Sequence, residues 1–288
     1  MKNKFHISIK KKKKLHSWLR AFIQMMFFCF IPSAYTAAFA GVKYIFTQLG
    51  AGEKIEITSF VAVLLILCLF TVVFGRFFCG YACAFGSLGD GVHALYVRIC
   101  KKLKKKPIQI ETQLAEKLSA LKYVVLTINV VMCFLGVYSK TQGISPWDVF
   151  SMLHAGNLKL TNYMPGFVIL VLILAGMSFQ ERFFCRFLCP MGAIFSLLPV
   201  IPVFALHRDR ESCIKNCSAC TRKCPSDIAL PNDGSSIIKG DCFNCQKCIC
   251  TCPKSNIHCG IQRLRGNEIW FTILRVLILV GLLVWQGV

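Results

Sequence analysis

The feature that most constrains this chain is a set of long apolar stretches that contain no charged residue. A helix needs about 20 apolar residues to cross the hydrocarbon core of a bilayer. Hydrophobic residues make up 55% of the chain and charged residues only 16%, which excludes an ordinary soluble protein. Four stretches of about this length contain no charged residue. A fifth contains Arg275 near its start, and we expect this side chain to extend outward to the polar surface. The predicted spans are residues 21–42, 57–74, 123–139, 163–180 and, with Arg275, 269–288.

The basic residues predict how these helices are oriented. Lys and Arg number 34 against 13 acidic residues, and 29 of them fall in segments 1–20, 75–122 and 181–265, which alternate with the spans. Positive residues concentrate on the cytoplasmic side of membrane proteins. We therefore place the N-terminus and these segments in the cytoplasm and interpret the net charge of +21 as an orientation signal, with no nucleic acid partner. The lysines within 10–14 and 101–106 are predicted to lie at an anionic leaflet.

A cysteine motif occurs twice, each time directly after a predicted span. Residues 76–83 and 182–189 both read R-F-F-C-x3-C, 106 residues apart. Cysteines four residues apart share one face of an α-helix, so each pair is a two-thiolate half-site. Two half-sites together give four sulfur ligands, which suits a metal or an iron–sulfur cluster; a dithiol redox pair at each motif is the alternative. The candidate ligands at this membrane site are Cys79, Cys83, Cys185 and Cys189.

A different cysteine pattern follows in the polar region near the C-terminus. The run C-x2-C-x2-C-x3-C-P begins at Cys242, and a variant with one extra residue in its first gap begins at Cys213. In bacterial ferredoxins the fourth cysteine of such a run binds the other cluster. The spacing therefore predicts two 4Fe-4S clusters with crossed ligands, and structural zinc is the alternative. The first cluster is assigned to Cys213, Cys217, Cys220 and Cys252, and the second to Cys224, Cys242, Cys245 and Cys248.

Taken together, these motifs resemble the membrane polyferredoxins of the NapH, NosR and CcoG type. The chain departs from that pattern at Cys83-Ala84, where the family usually has Cys-Pro. The resemblance implies a component of an oxidoreductase complex that passes electrons between quinol or a cytoplasmic donor and an acceptor in the membrane or at its outer face. The implied partners are a quinone or a redox protein such as a flavoprotein or cytochrome. Two other functions stay open, a CcoG-like copper reductase or assembly factor and a redox sensor without turnover.

The predicted architecture is an α-helical integral membrane protein of the cytoplasmic membrane with four to five transmembrane helices. It carries a cytoplasmic ferredoxin-like α+β domain with two clusters, and a third metal or cluster at the membrane cysteines is a hypothesis. The predicted divisions are a membrane domain at 1–206, a ferredoxin-type domain at 207–265 and a C-terminal transmembrane helix at 266–288.

Overall fold

The chain folds mainly into helices, as its apolar stretches predict. The computed structural model describes residues 9–108, 110–157, 163–201, 204, 206–209, 211, 213–214, 216–230, 240–259 and 268–287. Within those ranges the elements are α1 (Ile9–Phe30), α2 (Ala34–Ala51), α3 (Ser59–Phe74), a first π-helix (Phe78–Ala82), α4 (Ala84–Lys102), α5 (Thr112–Leu118), α6 (Leu121–Phe134), a 3-10 helix (Tyr138–Ile144), α7 (Pro146–His154), α8 (Met164–Phe179), a second π-helix (Phe184–Leu188), α9 (Pro190–Leu197), β1 (Leu206–Arg208), α10 (Ala219–Arg222), α11 (Lys247–Thr251), β2 (Ile257–Cys259) and α12 (Glu268–Trp285).

Pro32 divides the first predicted span into two helices. A proline removes one backbone N–H and disfavours helical geometry at the residue before it. Helix α1 therefore ends at Phe30, and α2 begins at Ala34 at an angle of 60° to it. The uninterrupted helix predicted across residues 21–42 is wrong, and the segment is a bent pair of helices.

Two segments of the described chain are long and apolar enough to cross a bilayer, Thr112–Phe134 and Glu268–Trp285. The bent pair of α1 and α2 makes a third if it is counted as one span. Helices α3 and α8 are apolar but have 16 residues each. At 1.5 Å per residue they are about 24 Å long, shorter than a hydrocarbon core of about 30 Å. The structure thus contains two or three candidate spans where the sequence predicted four to five.

The repeated cysteine motif has the same local structure in both copies. An apolar helix leads into a five-residue π-helix, and the next helix begins directly after the second cysteine. The backbone N–H of Cys83 donates to the Phe78 carbonyl at 2.9 Å, and that of Cys189 donates to the Phe184 carbonyl at 2.9 Å. These i to i+5 bonds define the π-helix, a rare element that often marks a functional site. The sequence repeat is therefore also a structural repeat.

A two-stranded antiparallel sheet closes the cysteine-rich region that follows. Strand β1 pairs Leu206 with Cys259 and Arg208 with Ile257 of β2. Helices α10 and α11 lie between these strands in sequence and pack against each other. A small core of apolar side chains and cysteines, including Ile228 and Ile257, fills this unit. We call it the cluster region; its short helices and sheet make it a small α+β unit.

Arg275 of α12 points into the protein. Its side chain is fully buried, with the guanidinium 4.4 Å from the ring centre of Phe77 and 5.8 Å from that of Phe204. One of its nitrogens lies 3.7 Å from the Cys259 sulfur. Aromatic faces attract a desolvated cation. The predicted outward extension of Arg275 is therefore wrong, because the cation has favourable neighbours inside the fold.

Candidate functional site

The four membrane cysteines come together although they lie in two distant parts of the chain. All four are buried in one hydrophobic core. Cys185 interacts electrostatically with Cys79, Cys83 and Cys189, and Cys189 also interacts with Cys79. The two copies of the motif thus form one site with four thiols, and this arrangement can supply four sulfur ligands.

The local geometry of each pair differs from the α-helical face that the spacing predicts. The first cysteine lies within the π-helix and the second ends it, with an extended backbone that also caps the next helix. The backbone N–H of Gly192 donates to the Cys189 sulfur at 3.1 Å, whereas the Cys83 side chain accepts no capping hydrogen bond. A helix N-terminus favours a thiolate. The second cysteine of each pair is therefore suited to bind as an anion.

The arginine that opens each motif reaches into the other copy. Arg182 donates to the carbonyl of Cys79 and, at 3.0 Å, to that of Gly80. Arg76 lies against the second copy, where a Cβ on Gly192 would sit 2.9 Å from its terminal nitrogen. Both guanidinium groups are buried and interact electrostatically with the thiols. Two positive charges therefore stand beside four sulfurs and offset part of the negative charge that buried thiolates would carry.

In the cluster region, the structure brings together the four cysteines assigned to the second cluster. Cys248 interacts electrostatically with Cys245, Cys242 and Cys224. Burial, followed by neighbouring thiols, raises the pKa of Cys242 to about 12 and that of Cys224 to about 11. Four thiols cannot all ionise this close together unless cations offset their charge, and metal binding releases thiol protons. The residues present therefore fit an iron–sulfur cluster.

The cysteines assigned to the first cluster are only partly assembled. Cys220 and Cys252 are buried in the small core of the cluster region. The backbone N–H of Asn256 donates to the Cys252 sulfur at 3.4 Å. Cys213 and Cys217 are partly exposed and lie outside that core. The structure thus places one pair of this ligand set together and leaves the other pair at the surface.

None of these thiol groups is arranged around a single ion. In the described ranges, no group of three or more His, Cys, Asp or Glu side chains could hold one metal ion. A single zinc ion needs all its sulfur ligands at about 2.3 Å. A cube-shaped cluster takes one thiolate at each of its irons, so its ligands stand farther apart.

The cluster region packs directly on the membrane motif through residues 242–245, which we call the cluster loop. A Cβ on Gly80 would lie 2.5 Å from the Phe243 carbonyl oxygen and 3.3 Å from the Cys245 Cα. The Phe243 ring lies 4.7 Å from the Arg76 guanidinium and 5.2 Å from that of Arg182. The glycine is required because the two backbones approach too closely for any side chain. The second cluster site and the membrane site are therefore adjacent.

Asp90 of α4 holds this junction together. Its carboxylate lies 2.5 Å from Arg20, 2.7 Å from Arg182 and 3.5 Å from Lys247, a residue between two cluster ligands. Burial alone would raise the pKa of Asp90, but Arg182, Lys247 and Arg20 outweigh it and hold that pKa well below its usual value. Burial lowers the pKa of Lys247 to about 8 despite its acidic neighbour. One carboxylate thus links α1, α4, the second motif and the cluster region.

Further ion pairs join the same two units. Arg186, inside the second motif, lies 2.7 Å from Asp227 and donates to the Pro225 carbonyl at 3.1 Å. Asp241, which precedes the cluster loop, pairs with Arg76 at 3.7 Å and with Lys122. Sequence reasoning gave no role to these charged residues, although Arg76 and Arg186 lie within the repeated motif. Asp90 carried a usable signal, because it is the only acidic residue between positions 75 and 108.

His93, His154 and two cysteines of the cluster region that belong to no predicted ligand set, Cys250 and Cys259, have local contacts. His93 pairs with the Ser178 carbonyl and His154 with the Phe28 carbonyl, both at 2.9 Å. The Cys250 sulfur lies 3.1 Å from His16. Cys259 donates to the Phe204 carbonyl at 3.1 Å. These contacts are typical of residues that stabilise the local structure.

Comparison with known proteins places the chain in a family. A family model described as a 4Fe-4S binding domain matches residues 57–107 and 163–207, the two copies of the membrane repeat. An uncharacterized protein of Methanocaldococcus jannaschii is 30% identical over 203 residues, 70% of this chain and 71% of that protein. The chain belongs to the 4Fe-4S binding domain family. The matched segments contain all four membrane cysteines.

Of two other relatives, one has a name that describes electron transport and the other a name that describes a ferredoxin-type protein. The putative electron transport protein YccM of Escherichia coli is 27% identical over 77% of this chain and 63% of its own length. The ferredoxin-type protein NapH of Haemophilus influenzae is 24% identical over 72% of this chain and 70% of its own length. The resemblance to NapH-type proteins is therefore confirmed. No solved structure shows significant similarity to the chain.

Proposed function

We propose that this chain relays electrons between a cytoplasmic donor or quinol and an acceptor in the membrane or at its outer face. The observation that carries the proposal is the direct packing of the cluster loop on the first π-helix at Gly80. Cys245 of that loop and the four membrane cysteines belong to one buried core. The likeness to a ferredoxin-type protein and to an electron transport protein supports the same role.

Two 4Fe-4S clusters are proposed in the cluster region, with the crossed ligand sets that the spacing predicts. Bound clusters would supply one-electron oxidation and reduction at each site. The protein contributes the thiolates, the buried surroundings and the fixed distance between sites. Asp90, Asp227 and Asp241 keep the cluster region seated on the membrane motif through their cationic partners.

A third centre is proposed at Cys79, Cys83, Cys185 and Cys189. Its support is the convergence of the four thiols, the two buried arginines beside them and the family match over both segments. A quinone, a flavoprotein or a cytochrome is the proposed partner of this centre.

The proposed topology has the N-terminus and the cluster region in the cytoplasm, with four to five spans. Lys12 lies 3.7 Å from Glu268 at the start of α12, and Lys13 donates to the Cys252 carbonyl. The start of α1, the cluster region and the start of α12 are therefore on the same side. Lys12 and Lys13 thus contact other parts of the protein. Their charge also predicts that they lie near an anionic leaflet. The proposed divisions remain 1–206, 207–265 and 266–288.

The test is metal analysis and electron paramagnetic resonance on the full-length protein purified without oxygen. We expect iron and sulfide, and two interacting reduced centres from the cluster region. The Cys79→Ser/Cys185→Ser variant should keep those two centres, lose the third and stop electron flow to quinone or to an external acceptor. Cys29→Ser, which changes an exposed cysteine outside the site, is the matched control.

Three results would contradict the proposal. Zinc with little iron or sulfide would exclude clusters. Electron flow that survives the double substitution would remove the membrane site from the route. Copper that copurifies with the protein and falls with the double substitution would instead indicate a copper reductase or assembly factor.

A further inference from the structure

A buried tyrosine faces the membrane thiols from a helix that contributes no cysteine. Tyr35, near the start of α2, is 2% exposed, and its hydroxyl oxygen lies 3.8 Å from the Cys189 sulfur. Its electrostatic interactions extend to Cys83 and Cys185. The phenol is thus a polar group that reaches the membrane thiols from outside the two motifs.

Packing fixes the direction of this hydroxyl. The Tyr35 ring meets Phe85 edge-on at 5.3 Å and Phe184 at 6.2 Å between ring centres, and it stacks on Phe39 at 6.4 Å. Phe85 follows the first cysteine pair and Phe184 precedes the second pair, so the ring is wedged between the two copies of the repeat. Among the described residues, Cys189 is the hydrogen-bond partner of the hydroxyl.

We propose that the Tyr35 hydroxyl donates a hydrogen bond to the metal-bound sulfur of Cys189 and so tunes the membrane centre. A sulfur that binds metal carries no proton, so the phenol has to be the donor. Hydrogen bonds to cluster sulfurs are among the factors that set the reduction potential. This inference rests on the proposed membrane site.

The bond makes the two halves of the repeat different. Cys83 and Cys189 occupy equivalent positions, but Cys189 accepts a backbone N–H from Gly192 and Cys83 accepts no capping hydrogen bond. Cys189 alone of these two has the additional donor from Tyr35. The reduced form of the centre carries more negative charge on its sulfurs and gains most from a donor. Tyr35 is therefore a positioning residue that favours reduction.

Tyr35→Phe is the direct test, because it removes the hydroxyl and keeps the ring contacts. Tyr81→Phe is the matched control. Tyr81 is 1% exposed, lies in the first π-helix next to the ligands, and has a hydroxyl without a partner in the described part of the chain. Both variants lose one buried oxygen, and only Tyr35→Phe loses a contact to the membrane thiols.

The first measurement is a redox titration of the membrane centre in the full-length loaded protein, monitored by electron paramagnetic resonance. We expect Tyr35→Phe to lower the ratio of reduced to oxidised centre by about fivefold at a fixed potential, the effect of about one net hydrogen bond. Tyr81→Phe should leave this ratio unchanged. An unchanged ratio in Tyr35→Phe, or an equal shift in both variants, would overturn the proposal.

The second measurement separates this inference from the proposed function. In the full-length protein stripped of metal, we expect Tyr35→Phe to slow alkylation of Cys189 several-fold, because the thiolate is the reactive form and has lost a donor. The rate at Cys79 serves as the internal reference. A wild-type protein without a membrane centre would contradict the proposed site and leave this reactivity difference intact. Equal Cys189 rates in wild type and variant would refute the hydrogen bond itself.

Discussion

Substituting Asp90 by Asn should weaken the contact between the cluster region and the membrane motif. The carboxylate is 12% exposed and lies within 3.5 Å of three cations. Asp90→Asn keeps the shape and removes the charge, so Arg20 and Arg182 lose their anion, and Lys247 keeps only its pair with Glu181. Removing one partner of a buried ion pair costs about 3–5 kcal/mol.

The expected magnitude can be measured as a loss of thermal stability in detergent. For a chain of this size about 1 kcal/mol corresponds to about 2 °C, so the midpoint should fall by about 6–10 °C. The contribution of Asp90 should be fully present above about pH 4, the usual carboxyl range. It is lost only as the pH falls through the lower pKa of the folded state.

Asp148→Asn is the matched control for this prediction. Asp148 pairs with Lys43 at 3.7 Å, and the two side chains are 30% and 22% exposed. An ion pair of this kind contributes up to about 1 kcal/mol, so the midpoint should fall by no more than about 2 °C. Equal losses in Asp90→Asn and Asp148→Asn would show that the buried carboxylate does not hold the junction.

Three further substitutions test the arrangement of the centres. Cys224→Ser should remove one of the two clusters of the cluster region from the iron analysis, whereas Cys250→Ser should leave the iron content unchanged; equal contents would refute the crossed ligands. Gly80→Ala should slow electron transfer to the membrane centre because its Cβ would meet a backbone oxygen at 2.5 Å, and Gly91→Ala, with open space around it, should not. Arg186→Met should loosen the cluster region, seen as faster hydrogen exchange around residue 227, and unchanged exchange would count against that ion pair.

The features that the sequence predicted well are those encoded by short spacing. The repeated R-F-F-C-x3-C motif needs only eight residues to be recognised, and its two copies have one structure. The ferredoxin runs are likewise local, but the cluster ligands they indicate stay a prediction. Apolar composition predicted a helical fold because a long uncharged stretch has few alternatives in lipid.

Features that depend on distant contacts were not predictable in the same way. The π-helix at each motif has no sequence rule comparable to the capping of an α-helix. The burial of Arg275 depends on Phe77 and Phe204, which lie far away in sequence. The bend at Pro32 is a different case, because a proline within an apolar stretch is a local signal that favours a break, and that signal was available in the sequence although an uninterrupted helix was predicted.

The exchange of arginines between the two motifs also determines when the site can be completed during synthesis. Arg182 holds the carbonyl of Cys79, a residue made 103 positions earlier. The first cysteine pair therefore leaves the ribosome long before Arg182 and the second cysteine pair have been synthesised. Binding of the proposed metal centre by all four cysteines has to follow synthesis of the second motif, and neither half of the chain contains all four ligands.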